Sequence, residues 1–419
     1  MTEADHFSND ELQRLRAHGI VLFAERVIFD AQPPMTAAQI AQVQAACAGP
    51  IPADLIALWQ QTAGGSLDYD LTLSMNGNEE AISWTELFFD DSLGYRDLQG
   101  WIAHEQECAE EAAVERGEGW NGRLTHLPFG GFEYLDRIYA VVEPGDAHGQ
   151  IIAWKQGLPP AWTHRLHEDA ISPIAPDLRA AFSALHLDED PLAPSGSYFA
   201  GQTLIDYLDE RHASHGLDIA LMDRLLAFYR RAMVDWRAPL ADGTLRDHRA
   251  LGRVALRHAI ATDDAALVAA LAAAGVPFDG PLSGSATATD MAISAGAFAA
   301  AVALVRAGAP VAIDALSHID GAITPELTAD LLAHGAEPDI AAMVQCVACG
   351  APASARLIAD ACARSGVDVP AAYKTARDAM LAQLSATLKK VGDPKRAFSH
   401  YLGADGLALR IERLEGFSL

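Results

Sequence analysis

The chain has 419 residues, half of them hydrophobic, which is enough for two or three domains with cores of their own. Its formal net charge of −26 argues against nucleic acid or an anionic membrane as a direct partner, because phosphates would be repelled. No apolar run approaches the roughly 18 to 20 residues of a membrane span, and the N-terminus lacks the basic and apolar regions of a secretory signal. Five cysteines do not indicate a disulfide framework, so we expect a cytoplasmic protein.

The N-terminal part is predicted to be helical, with proline and glycine breaks. Apolar spacing predicts helices over residues 9–17, 37–48 and 54–62, and an edge strand over 19–23. Thr36 is placed to cap the second helix, because its hydroxyl can accept an amide hydrogen bond in the first turn. The third helix carries Leu55, Leu58 and Trp59 on one face and stops at a glycine pair.

From residue 67 the hydrophobic period changes to that of strands. Leu67, Tyr69, Leu71 and Leu73 alternate with polar residues, which predicts a half-buried strand. The further predicted elements are a strand or helix at 84–89, a helix at 101–116, strands at 134–142 and 151–154, and a closing helix at 175–185. Together they predict an α+β domain, with helices against an antiparallel sheet.

The negative charge is concentrated in this first domain. Residues 1–190 hold 31 acidic and 10 basic side chains (net −21), whereas residues 191–419 hold 25 and 20 (net −5). The densest segment, residues 79–118, has 12 acidic side chains against two arginines. Such a surface would steer a basic protein partner toward it. The alternative, that the acidity only serves solubility, is equally open at this point.

The second half is predicted to be all-α and repetitive. A shift of 33 residues aligns Leu271 with Leu304 and Gly275 with Gly308, a period that resembles the ankyrin repeat. Shorter, weaker copies follow at 331–336 and 349–368. The predicted organisation is a first domain at 1–187 (core about 35–187), a linker at 188–200, a helical adaptor segment at 201–248, ankyrin-like repeats at 249–370, and a helical cap and tail at 371–419.

Motifs for catalysis, cofactors or metals are not evident in the sequence. His164 and His167 lack a third ligand, and the cysteines at 346, 349 and 362 lie in an alanine-rich helical stretch where buried thiols are ordinary packing. There is no glycine-rich phosphate loop and no nucleophile elbow. We therefore predict a non-enzyme without metal or cofactor. Carboxylates are so numerous that a glycosidase-type pair stays open.

Aromatic residues interleave with the acidic stretch. Trp84, Phe88 and Trp101 are predicted to be core, while Phe132 and Tyr134, beside flexible glycines, are equally balanced between core and a binding surface. The residues predicted to contact a partner are Glu79, Glu80, Glu86, Asp90, Asp91, Glu105, Glu107, Glu110, Phe132, Glu133 and Tyr134.

Several short motifs resemble those of a known superfamily. Ile51-Pro-Ala-Asp-Leu55, a glycine pair at 64–65 and Leu127-Pro-Phe-Gly130 followed by Leu135-Asp136 are similar to the SUKH (Smi/Knr-like) superfamily over about residues 35–187. Ile51 stands where leucine is usual, and Ala63 where asparagine is. The resemblance implies a non-catalytic α+β domain, and bacterial members are largely immunity proteins that neutralise secreted polymorphic toxins, many of them nucleases.

Ankyrin-like proteins also occur as immunity proteins in such toxin loci. The leading hypothesis is therefore a bacterial immunity protein that holds a basic toxin by stoichiometric occlusion. The alternative is an ankyrin-type scaffold or adaptor for an endogenous protein, and a third hypothesis is an enzyme with an unrecognised carboxylate site.

Overall fold

The computed structural model describes residues 6–90, 92, 94–156, 171–194, 199–283, 286–391 and 400–419. The chain divides into two compact units, Met1–Val234 and Asp235–Leu419. The first unit combines helices with an antiparallel sheet and the second is mainly helical, which confirms the predicted fold class at this level. Among the described residues, no helix combines the length and apolarity needed to cross a bilayer.

The elements of the first unit alternate between short helices and strands. They are α1 (Asn9–Ala17), β1 (Val21–Phe23), β2 (Arg26–Ile28), α2 (Ala37–Ala46), α3 (Ala53–Trp59), β3 (Gly65–Ser66), β4 (Thr72–Met75), β5 (Asn78–Ala81), β6 (Glu86–Leu87), α4 (Leu98–Arg116), β7 (His126–Phe132), β8 (Asp136–Val141), β9 (Ile151–Lys155), β10 (Ile171–Ala175), α5 (Leu178–Ala184), α6 (Gln202–His215) and α7 (Ile219–Tyr229).

A six-stranded sheet organises this unit, in the order β10-β9-β8-β7-β6-β3, and every neighbouring pair is antiparallel. Because side chains alternate along a strand, β8 contributes side chains to both faces of the sheet. Ile138 and Ala140 point into the main core of the unit. Tyr139 and Val141 point to the opposite face, where they form a second apolar cluster with β9.

Capping side chains set where α2 and α5 begin, and the sequence predicted the first of these two starts. The hydroxyl of Thr36 accepts the amide of Gln39, and the Gln39 side chain bonds back to Thr36, so α2 begins as predicted. The closing helix begins at Leu178 and not at residue 175, because residues 171–175 pair with β9 as β10. Asp177 then caps α5 by accepting the amide of Ala180 at 2.8 Å.

The segment predicted as a strand over residues 67–73 is buried as expected but paired differently. Leu67, Tyr69 and Leu71 are each at most 6% exposed, so their alternation reflects a real inward face. Their backbone makes single hydrogen bonds to several partners, such as Thr85, and no continuous ladder. Only Thr72–Met75 becomes a strand, β4, in a two-stranded ribbon with β5.

Helices α6 and α7 belong to the first unit, although the linker at 188–200 predicted a boundary before them. Leu204, Leu208 and Leu225 are fully buried in the same core as the sheet. The carboxylate of Asp68 accepts the first amides of α6, including that of Thr203 at 2.8 Å. The division between the units therefore falls after residue 234, inside the predicted adaptor segment.

The second unit is built mainly from helices. Its elements are α8 (Arg237–Asp242), α9 (Arg249–Ala261), α10 (Ala265–Ala273), β11 (Pro281–Ser283), β12 (Ala286–Thr287), α11 (Ala288–Ser294), α12 (Phe298–Arg306), a 3₁₀ turn (Ala315–His318), α13 (Pro325–Ala333), α14 (Ile340–Cys349), α15 (Pro352–Arg364), α16 (Val369–Val391) and α17 (Gly403–Gly416).

These helices stack as pairs in two layers. Helices α10, α12, α13 and α15 follow one another in one layer, and α9, α11, the 3₁₀ turn and α14 follow one another in the other. Each helix of the first layer ends on a glycine with positive φ, at positions 275, 308, 335 and 366. The residue after each glycine donates its amide to the carbonyl five residues back, as from Ala309 to Leu304 at 3.0 Å.

The C-terminal helices cover the end of this stack. Helices α16 and α17 pack on each other and on α14. Asp320 links the helix stack to these C-terminal helices. Its carboxylate accepts hydrogen bonds from Arg410 and from the hydroxyl of Tyr401, both at 2.7 Å. The predicted helix over residues 371–390 thus lies within α16, and the tail contributes a further helix to the cap.

Candidate protein-interaction face

Helix α4 is held against the sheet by a buried ion pair. The guanidinium of Arg137 is 3.2 Å from the carboxylate of Glu105, and their side chains are 3% and 12% exposed. Tyr139 donates its hydroxyl to the same carboxylate at 2.7 Å. Burial, together with the charge of Glu105, raises the pKa of Tyr139 well above its usual range, so this phenol stays a donor. Glu105, which the sequence placed among the partner contacts, is thus engaged inside the unit.

The same arginine also stacks on an aromatic ring of α4. The Arg137 guanidinium carbon lies 3.4 Å from the ring centroid of Trp101 and 5.5 Å from that of Trp154. Phe88 stacks against Trp101 at 5.7 Å, and both are buried as predicted. Arg137, stacked on Trp101 and paired with Glu105, thus holds the first two turns of α4 against β8.

The β7–β8 hairpin presents three exposed residues at its tip. Phe132 pairs with Asp136, which leaves Glu133, Tyr134 and Leu135 as the loop. Tyr134 and Leu135 are each 49% exposed, whereas Phe132 is only partly so. At Gly131 a Cβ atom would collide with the carbonyl oxygen of Asp136, so only glycine allows the strands to approach this closely.

Aromatic contacts connect this tip to the start of α4. The ring of Tyr134 meets that of Trp101 edge-on at 5.3 Å and that of Tyr95 at 5.0 Å. Tyr95 is 44% exposed. It was not among the predicted partner contacts, and its only sequence signal was an aromatic side chain inside the acidic stretch. An exposed tyrosine pair therefore rests on a buried tryptophan.

The outward side of α4 is negatively charged. Glu107, Glu110 and Glu111 are exposed, and Val114 beside them is 71% exposed. At 1.5 Å per residue, these carboxylates are spaced over about 6 Å of the helix axis. Of the predicted contacts, the structure thus places Glu107, Glu110, Glu133 and Tyr134 on the surface.

The remaining predicted contacts lie in other surroundings. Glu86, on β6, is 22% exposed and lies 3.9 Å from Arg96, and burial raises the pKa of its carboxyl despite that arginine. Asp90 accepts a hydrogen bond from Gln99 at 3.0 Å. Glu79 and Glu80 lie in β5, and Asp91 lies outside the described residues.

The side chains that sequence reasoning weighed for metal or redox chemistry do not form a site in the described part of the chain. His164 and His167 fall outside it. Cys346, Cys349 and Cys362 are buried, and burial raises the pKa of Cys346 to about 12, which keeps its thiol protonated. Among the described residues, no group of three or more histidine, cysteine or carboxylate side chains is placed to hold a metal ion.

The fold and this surface define a chain of two units whose α+β unit carries an acidic and aromatic face. No protein-family model, curated protein or solved structure matches the chain.

Proposed function

We propose that this protein is a bacterial immunity protein that acts in the cytoplasm by binding a basic protein toxin and covering its active surface. The proposal is carried by the exposed hairpin tip and the acidic outer side of α4, which together make up the candidate face. It combines exposed carboxylates with exposed aromatic rings on elements that are fixed by buried contacts. Inhibition would be stoichiometric and would need no chemical step.

Charge supports this partner class. Residues 1–234 contain 36 acidic and 14 basic side chains, a net charge of −22, whereas residues 235–419 contain 20 and 16, a net charge of −4. A nuclease toxin presents a basic surface to the phosphates of its substrate. Carboxylates spaced along α4 can occupy that surface in place of phosphates, and the surrounding negative field accelerates the encounter.

The motifs that resemble the SUKH superfamily support the same role. Ile51 and Leu55 are buried at the start of α3, and Leu127-Pro-Phe-Gly130 forms the first part of β7, which leads to the exposed hairpin tip. In the second unit, the two layers and the recurring glycine closures fit an ankyrin-like solenoid with one regular period and shortened later repeats. We propose that this solenoid gives a second contact surface or supports the first.

The direct test is co-expression with the toxin encoded beside this gene. Cells carrying both genes are expected to survive, and the two proteins should co-elute as an equimolar complex. Doubly substituted Glu107→Lys, Glu110→Lys protein should lose protection, while Asp405→Lys on α17, another exposed carboxylate, should keep it. The proposal would be refuted if cells carrying the unaltered protein died and no complex of the two proteins formed.

A second candidate is an ankyrin-type scaffold for an endogenous protein, favoured by the ordered stack of helix pairs. Affinity capture from native lysate, with the full chain as bait, distinguishes the two candidates. The scaffold predicts recovery of a housekeeping partner that the double lysine variant of α4 retains undiminished. The immunity proposal predicts that the charge reversal on α4 abolishes capture.

A further inference from the structure

We propose that the exposed tyrosine pair, Tyr95 and Tyr134, is the anchor of the face and receives an arginine side chain of the partner. This inference rests on the proposed function, and it names the chemical group that the face selects. It differs from a general preference for positive charge, because it predicts that arginine is preferred over lysine.

The pair is an apolar patch that the unit does not cover in its described part. Tyr95, Tyr134 and Leu135 are each between 44% and 49% exposed. Their positions are nevertheless fixed, since Tyr134 packs on the buried ring of Trp101 and the indole nitrogen of Trp101 donates to the carbonyl of Tyr95 at 2.7 Å. Rigid aromatic side chains that lose little entropy on binding are typical hot spots of protein interfaces.

Charge around the patch selects a cationic occupant. Glu133 is exposed beside Tyr134 in the same loop, and α4 leads from Trp101 to the exposed carboxylates Glu107 and Glu110. A second copy of this chain is a poor occupant, because two chains of net charge −26 repel each other. Three partly exposed side chains are also far less than the roughly 800 Å² per partner of a stable interface.

The preference for arginine follows from the shape of the guanidinium. It is planar, it stacks on aromatic faces, and its fork of donors can reach a carboxylate at the same time, whereas an ammonium is more strongly hydrated. The unit already holds one guanidinium in this way, since Arg137 lies over Trp101 and bonds Glu105. Tyr134 and Glu133 offer an exposed ring and an exposed carboxylate in one loop.

The test uses the full chain and two fluorescein-labelled nonapeptides of equal charge, one of nine arginines and one of nine lysines. Anisotropy titrations at 0.15 M NaCl should show the arginine peptide binding about fivefold more tightly. Tyr95→Ala and Tyr134→Ala should each weaken arginine binding about threefold or more and bring the two peptides close to equal affinity. Tyr134→Phe, which keeps the ring, and Tyr401→Ala, at an exposed tyrosine of the second unit, should leave the preference in place.

The outcomes separate the anchor from the acidic face. Equal affinity for the two peptides, no binding of the arginine peptide, or a preference that survives both tyrosine substitutions would overturn the anchor. If the tyrosine variants bind normally and the double substitution Glu107→Gln, Glu110→Gln does not, the acidic face stands and only the anchor falls. Unchanged thermal unfolding of Tyr134→Phe and Tyr134→Ala shows that a loss of binding is not a loss of folding.

Discussion

Replacing Glu105 with glutamine tests whether this side chain is structural. Arg137 has only 3% of its side chain exposed, and Glu105 is its sole carboxylate partner among the described residues. The variant leaves a buried guanidinium uncompensated, and breaking one side of a buried ion pair typically costs about 3–5 kcal/mol. With an m-value of about 2 kcal/mol/M, a loss of about 4 kcal/mol moves the urea midpoint down by about 2 M.

Tryptophan fluorescence is a suitable probe for this unfolding, because six of the seven tryptophans lie in residues 1–234. Glu107→Gln is the matched control: the same substitution two residues along α4, at an exposed position, should change stability by no more than about 0.5 kcal/mol. Replacing both charges, as Glu105→Leu with Arg137→Met, should recover most of the loss when Tyr139→Phe also removes the hydroxyl that bonds Glu105, since apolar groups of similar volume replace buried ion pairs well.

Unfolding of Glu105→Gln at the same urea concentration as the unaltered protein would refute this structural role. So would a triple variant, Glu105→Leu, Arg137→Met and Tyr139→Phe, that is as unstable as Glu105→Gln. The first result would mean that the guanidinium is hydrated in solution. The second would mean that the cost comes from packing and not from the unpaired charge.

Three further predictions concern other parts of the chain. Burial lowers the pKa of His126 below its ordinary value of about 6.5, so the unfolded state gains its proton first. Stability contributed by neutral His126 is present above about pH 6.5 and is lost as the pH falls below it, and urea midpoints of His126→Gln should fall less on acidification. Gly308→Ala should cost about 1 kcal/mol in thermal unfolding, because φ is +88° and the site is otherwise open, whereas Gly416→Ala should be nearly neutral. Residues 1–234 alone should show cooperative unfolding by circular dichroism, whereas residues 1–187 should not, since they lack helices that complete the core; equal cooperativity of both would contradict this division.

Local physics explains how much of the fold the sequence could predict. A capping hydroxyl such as Thr36 acts within its own turn, and the 33-residue spacing of Gly275 and Gly308 repeats a closure made within five residues. The sequence therefore located these elements well. Strand pairing could not be predicted from such local signals, because the hydrogen-bond partners of Leu67 and its neighbours lie in segments that are distant along the chain.

The candidate face shows the same limit. Glu105 and Glu107 are both glutamates in one helix, and charge density alone does not separate them. Helical spacing would have done so: Trp101, Glu105 and Ala112 share the inward stripe of α4, while Glu107 lies off it. Tyr95 could not be placed from sequence, because its surface position depends on the approach of the hairpin tip to α4.

The recurring glycine closures have a consequence for how the second unit can change. Residues 276–308 begin and end at equivalent points of the backbone, so a helix pair could be duplicated or deleted there without a new junction. Only the last pair has to match the C-terminal cap through α14. We therefore expect a chain with one helix pair duplicated or deleted between these closures to keep the fold of the second unit.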